Sequence, residues 1–146
     1  MKKVLIAIIL TVFFGSSCFA EGSASRFSAE EKTADALIEA LVGKGTYEQV
    51  SRSFASEMKE KLAEKEFALT KERIRKDFGK VKDVAFVVLN KQYHPEKGYS
   101  GVDELVYTGK ISKEKHVRFI IAFGLENDTP KIIDYRIQIF GPENKK

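Results

Sequence analysis

Cysteine is almost missing from this chain and tryptophan is missing altogether: Cys18 is the single thiol among 146 residues. One cysteine closes no intramolecular disulfide, so stability has to come from a packed core. Histidine is nearly as scarce, with only His94 and His116. A zinc or iron centre wants three or four His, Cys or carboxylate ligands, so no metal and no other cofactor is expected. His94 beside Pro95 and His116 on the polar side of a strand read as surface residues, and Glu126-Asn127-Asp128 reads as a hairpin turn because it lacks the alternating acids and glycine of a calcium loop. There is no Gly-x-Ser-x-Gly elbow and no glycine-rich phosphate loop. Charge of one sign is also missing: 25 basic residues are interleaved with 21 acids. A nucleic-acid partner wants a clustered basic face and is not expected.

What is there begins with an address. Lys2 and Lys3 precede an apolar run, Val4–Phe14, that ends in Gly15-Ser16-Ser17-Cys18-Phe19-Ala20. Eleven residues fall short of the roughly 20 that span a bilayer, and small residues stand where a leader peptidase cuts. Residues 1–20 are therefore expected to be a signal peptide cleaved after Ala20, with the product periplasmic or extracellular. Cys18 leaves a second route open, since it resembles the lipid-modified cysteine of bacterial lipoproteins. That motif usually carries Leu three residues earlier, where this chain has Gly15. Only through such a lipid is a membrane partner expected. Cleavage removes two lysines, no acid and the only thiol, lowering the formal net charge from +4 to +2.

The remaining 126 residues suffice for one core, and a single α+β domain is expected over residues 26–141. After a polar lead (Glu21–Ser25), Ser28-Ala29-Glu30-Glu31 has capping-box spacing, and Ala34, Leu37, Ile38 and Leu41 recur at helical steps up to Gly43. Thr46-Tyr47-Glu48-Gln49 repeats the box, and Tyr47, Val50, Phe54, Met58 and Leu62 carry a second stripe to about residue 63. Thr70 is placed to cap a shorter third helix, with Ile74 and Phe78 inward and Gly79 as its stop. From Val81 the residues turn β-branched and aromatic: Val84–Leu89, Leu105–Tyr107, then two alternations. In the first, Val117, Phe119, Ile121 and Phe123 oppose His116, Arg118, Ile120 and Ala122; in the second, Ile133, Tyr135, Ile137 and Ile139 oppose Asp134, Arg136 and Gln138. Turn signals at His94–Gly98, Ser112–Glu114 and Asn127–Pro130 join them into a four-stranded antiparallel meander with the helices on one face.

This order of helices and then a curved four-stranded sheet resembles the cystatin-like, nuclear transport factor two like superfamily, and more narrowly a small secreted bacterial domain of unknown function within it. Ala68-Leu69-Thr70, Phe78-Gly79-Lys80-Val81-Lys82 and Ile133-Asp134-Tyr135-Arg136-Ile137 carry the resemblance over residues 28–141. It implies an architecture and a pocket between helices and sheet, without a reaction. Tyr107, Phe119, Phe123 and Tyr135 are the expected pocket residues. Relatives of this architecture place an Asp, Tyr or His in an apolar pocket for proton transfer, which makes Asp103, Tyr93, Tyr107 and Tyr135 the candidates for acid–base work.

Between Lys71 and Lys82, six basic residues form a local patch that reads as a solvated helix face, with an anionic surface as the alternative. The polar sheet face also carries Ile120 and Phe140, a mixture compatible with a homodimer. The leading expectation is an exported, non-catalytic domain binding a small apolar ligand or a protein partner. The alternatives are an isomerase- or dehydratase-like enzyme using Asp103 and a tyrosine, and a structural or assembly factor of the cell envelope.

Overall fold

The structure, a computed structural model, describes residues 17–141. Four helices precede four strands: α1 (Ser17–Val42), α2 (Tyr47–Ser51), α3 (Ser56–Lys61), α4 (Glu64–Phe78), β1 (Lys82–His94), β2 (Gly98–Lys110), β3 (His116–Glu126) and β4 (Thr129–Phe140). The strands form one antiparallel sheet in the order β1-β2-β3-β4. The chain is therefore α+β, with helices packed on one face of an open sheet.

Residues 1–16 of the expected signal peptide lie outside the described residues, and residues 17–20 belong to the start of α1. The polar lead Glu21–Ser25 belongs to the helix rather than preceding it, and Ser28 sits inside the helix instead of capping it. The reason is tertiary. Arg26 pairs with Glu30 one turn on, and the Phe27 ring packs 5.5 Å from Phe86 on β1, so a turn is fixed there and the proline-free residues before it extend the helix one hydrogen bond at a time. Downstream, Ala34, Leu37, Ile38 and Leu41 are all buried, as their spacing predicts.

The second expected helix is two. Its apolar stripe is intact, with Val50, Phe54, Met58 and Leu62 buried, but the helix breaks between Ser51 and Ser56. There Phe54 forms a parallel bridge to Ile132: the Ile132 N–H donates to the Ser53 carbonyl at 2.8 Å, and the Ala55 N–H donates to the Ile132 carbonyl at 2.9 Å. Backbone groups recruited by the edge of β4 cannot also serve a helix. At the start of α2 the Thr46 N–H donates to Gln49 Oε1 at 2.8 Å, the reciprocal half of the predicted box. The third helix begins six residues before Thr70, whose hydroxyl bonds back to the Glu66 carbonyl at 2.9 Å instead of capping. Gly79, at φ +65°, ends it as predicted.

The strands outrun their apolar cores. β3 buries Val117, Phe119, Ile121 and Phe123, following its alternation. In β4 the phase shifts: Phe123 pairs with Ile132 and Ala122 with Asp134, leaving Ile133 as an extra residue. Ile132 takes the core position and Ile133 is 39% exposed, correcting the expectation that Ile133 faces inward. Asn127 and Asp128, both at positive φ, make the tight β3–β4 turn.

Candidate functional site

The centre of the space between helices and sheet is filled, and a cleft of about 390 Å³ remains at its edge, where Glu31, Asp35 and Glu39 of α1 face Phe86 and Tyr107 of the sheet. Phe119 and Phe123 belong to the buried cluster that also holds Leu37, Leu41, Phe54 and Phe67, so neither lines an open pocket there. Tyr107 is buried, its hydroxyl 3.5 Å from the Glu31 carbonyl; burial and then nearby Asp35 push that hydroxyl's pKa up. Tyr135 is half-buried, and burial likewise raises its pKa against the opposing hydrogen bond with Thr70. Tyr93 is exposed, its ring 5.6 Å from that of Tyr99. These five residues therefore do not converge on one cavity, and of them Tyr107 alone lines the cleft beside α1.

Asp103 does face inward, on the parity predicted from Leu105 and Tyr107, and is 1% exposed. It lies in a compact group of charges that the sequence reading missed. Lys91 Nζ reaches both carboxylate oxygens, at 3.1 and 3.0 Å; the Tyr99 hydroxyl donates to Oδ1 at 2.6 Å; and Arg26 Nε lies 3.4 Å from Oδ2. The same Arg26 donates to Glu30 Oε1 at 2.7 Å and to the Gly101 carbonyl at 3.0 Å. Helix α1 is thus tied to β1 and β2 by two acids and two bases. The first signal for this was the Arg26–Glu30 spacing, and the second was the inward parity of an Asp, which burial forbids unless it is paired.

The two acids are not equivalent. Burial pushes the pKa of Glu30 up and the charge of Asp103 adds to this, outweighing the hydrogen bond from Arg26. Glu30 is fully buried and its Oε2 has no partner among the described residues. For Arg26, Glu30 and Asp103 overcome burial and hold the guanidinium above its ordinary pKa. Burial first, then the bond to Asp103, raises that of Tyr99. The donors around Asp103 occupy the lone pairs a general base would use, and none of the larger clefts is lined by it. Chemically, the group serves as an anchor.

The largest of these clefts lies on the opposite, open face of the sheet. Its volume is about 590 Å³, and its apolar lining comes from Val87, Val88, Val106, Ile120 and Phe140. Strand register places these side chains: Val88 pairs with Val106, Val106 with Ile120, and Ile120 with Arg136. One row away, Thr108, Arg118 and Gln138 lie side by side, and beyond them His116 pairs with Phe140. The His116 ring stacks on Phe140 at 5.4 Å, and the Arg118 guanidinium lies 5.1 Å from the centre of the same ring. At the other end Glu104 pairs with Arg136, which also lies 3.8 Å from Asp134.

No group of three or more metal-ligating side chains occurs among the described residues, and no helix among them is long and apolar enough to cross a membrane. Glu126 accepts from the Ser56 hydroxyl at 2.5 Å, tying the β3–β4 hairpin to α3. Of the basic patch, Lys71 donates to the Gly45 carbonyl at 2.7 Å while Arg73, Arg75 and Lys76 are exposed along α4. Compared with protein-family models, curated proteins and solved structures, the chain matches none.

Proposed function

We propose that this is an exported, non-catalytic domain of cystatin-like, nuclear transport factor two like architecture, which binds a small apolar ligand or an apolar patch of a protein partner on the open face of its sheet. Export rests on the leader pattern of residues 1–20. The architecture rests on the order of helices and then meander, with the helices on one face. The observation that carries the binding reading is the contrast between the two faces. The helix side is close-packed around Phe119 and Phe123, and the cleft of about 390 Å³ left there beside α1 is rimmed by the acids Glu31, Asp35 and Glu39, whereas the open face keeps a larger groove of about 590 Å³ with an apolar floor, within the usual range for small-ligand sites. Exposed apolar side chains gathered on one side of a sheet are where partners dock.

The competing acid–base reading needs Asp103 to meet a substrate, and its carboxylate is sequestered among Lys91, Tyr99 and Arg26. The binding reading is tested with a neutral apolar dye, N-phenyl-1-naphthylamine, whose fluorescence rises on transfer out of water. Wild-type protein should enhance it, Ile120→Glu should abolish the enhancement with the far-UV circular dichroism unchanged, and Leu69→Glu on exposed helix surface should leave it intact. Equal enhancement by Ile120→Glu and wild type would place dye binding elsewhere and end the proposal.

A further inference from the structure

Charge on the open face is distributed unevenly. Its acids are already engaged: Glu104 is paired with Arg136, and Asp134 lies within 3.8 Å of the same guanidinium. Arg118, by contrast, is exposed and has no acidic partner among the described residues, and its contact is the Phe140 ring. The His116 ring stacks on the same ring. One end of the groove therefore presents a cation that has no acidic partner among the described residues, set on an aromatic plate, and the other end is internally balanced.

Between the ends runs apolar floor. Val106 is 8% exposed, Ile120 is half-buried beside it, and Val88 and Val87 continue across to β1, with Val87 55% exposed. Successive same-face residues on a strand are about 7 Å apart and neighbouring strands about 5 Å apart, so the path from Arg118 across Ile120 and Val106 to Val88 is roughly 17 Å long. A neutral apolar ligand would cover that floor but would strip water from Arg118 without giving it a partner. A cationic head would meet a like charge. A membrane surface is recognised by clusters of four to eight Lys or Arg, whereas of the bases aligned on this face Arg136 is paired with Glu104 and Lys110 with Asp83, which leaves too little free positive charge for that.

We infer that the groove is a site for a free single-chain amphiphile with an anionic head, of the medium-chain carboxylate class, its head on Arg118 and His116 and its chain over Ile120, Val106 and Val88. This deepens the binding proposal above and rests on it. Glu104 does not oppose the ligand because Arg136 neutralises it, and Gln138 and Thr108 flank Arg118 with polar groups able to contact a carboxylate's rim. The guanidinium suits this role, because it offers paired donors to a carboxylate while its face stays on the aromatic ring.

The test is isothermal titration calorimetry of the purified protein with dodecanoate, dodecanol and dodecyltrimethylammonium, each kept below its micelle concentration. Dodecanoate should bind about ten-fold or more tighter than the other two, the effect expected of a charge-assisted contact. Arg118→Gln should lose about that factor for dodecanoate and leave dodecanol unchanged, and Ile120→Glu should abolish both. If all three probes bind alike, or Arg118→Gln leaves dodecanoate affinity intact, the anionic-head assignment falls while the groove survives as an apolar site. If no probe binds, the binding proposal falls with it. Capture by phosphatidylglycerol vesicles, undiminished by excess dodecanoate and lost in Arg118→Gln, would overturn the assignment in favour of a lipid surface.

Discussion

Replacing Asp103 by alanine separates anchoring from catalysis. The carboxylate receives two contacts from Lys91, a 2.6 Å hydrogen bond from Tyr99 and the flank of Arg26. Removing it leaves an ammonium and a half-buried hydroxyl without their acceptor, and takes one of two anions from Arg26. Breaking a fully buried ion pair costs about 3–5 kcal/mol. Lys91 is 34% exposed and can rehydrate, so the low end, about 3 kcal/mol, applies. For a domain of this size that is a fall in Tm of roughly 10 °C. Urea unfolding followed by far-UV circular dichroism measures it, with tyrosine fluorescence as the second probe because the chain has five Tyr and no Trp. A double-mutant cycle with Lys91→Met should return a coupling of about 1–2 kcal/mol. Amide exchange should quicken first in α1 around Arg26–Glu30, where the tie is lost. A loss below about 1 kcal/mol would refute the anchoring argument. A stable Asp103→Ala that lost a turnover possessed by wild type would instead restore the acid–base reading.

Two further outcomes follow from the same geometry. Because the folded pKa of Glu30 is raised above its ordinary 4.5, the folded state holds the proton more tightly than the unfolded one, so the stabilisation from protonation is present below that value and is lost as pH rises through the folded pKa. Glu30→Gln keeps an acceptor for Arg26 without a buried charge, so it should remove this slope and become the more stable of the two as pH rises, by urea midpoint; a difference that grows on acidification contradicts the sign. Phe54→Ala should cost about 3–5 kcal/mol, since a fully buried ring edge-on to Tyr47 is lost where the chain bridges to Ile132, and a cost under about 1.5 kcal/mol would show that the break in the helices is not held by that ring.

Periodicity was readable wherever one phase alone was apolar. β3 alternates without ambiguity, and its buried residues are those its pattern selects. β4 carries two adjacent isoleucines, Ile132 and Ile133, so both phases look apolar and the bulge that chooses between them appears only in the pairing with Phe123 and Ala122. The stripe from Tyr47 to Leu62 continues across a break in the helix because side-chain burial is preserved while backbone bonds are redirected to Ile132. Ser28 mimics a cap because local spacing cannot register that Arg26 and Phe27 are held from outside the segment. The candidate sites obey the same rule. The inward side of Asp103 was legible from parity, whereas Lys91, Tyr99 and Arg26 come from three elements that only the fold brings together. The open-face groove needed the β1–β2 register to set Val88 beside Val106.

That register links the two faces of the sheet. β1 is an edge strand with irregularities at three points in its pairing with β2, and most of its residues are exposed, so apolar burial alone specifies its alignment weakly. The pairing of Lys91 with Asp103 supplies what burial does not. A slip by one residue would carry Lys91 to the open face and leave the Asp103 carboxylate buried without its ammonium partner, a penalty of several kcal/mol that adds to the loss of the Phe86 and Leu89 contacts with the core side. The same alignment sets Val88 opposite Val106, three residues along the strand from the ion pair and on the other face. A charge cluster that touches no ligand thus determines the floor of the groove behind it, and loosening Asp103 should blur apolar binding on the open face before the domain unfolds.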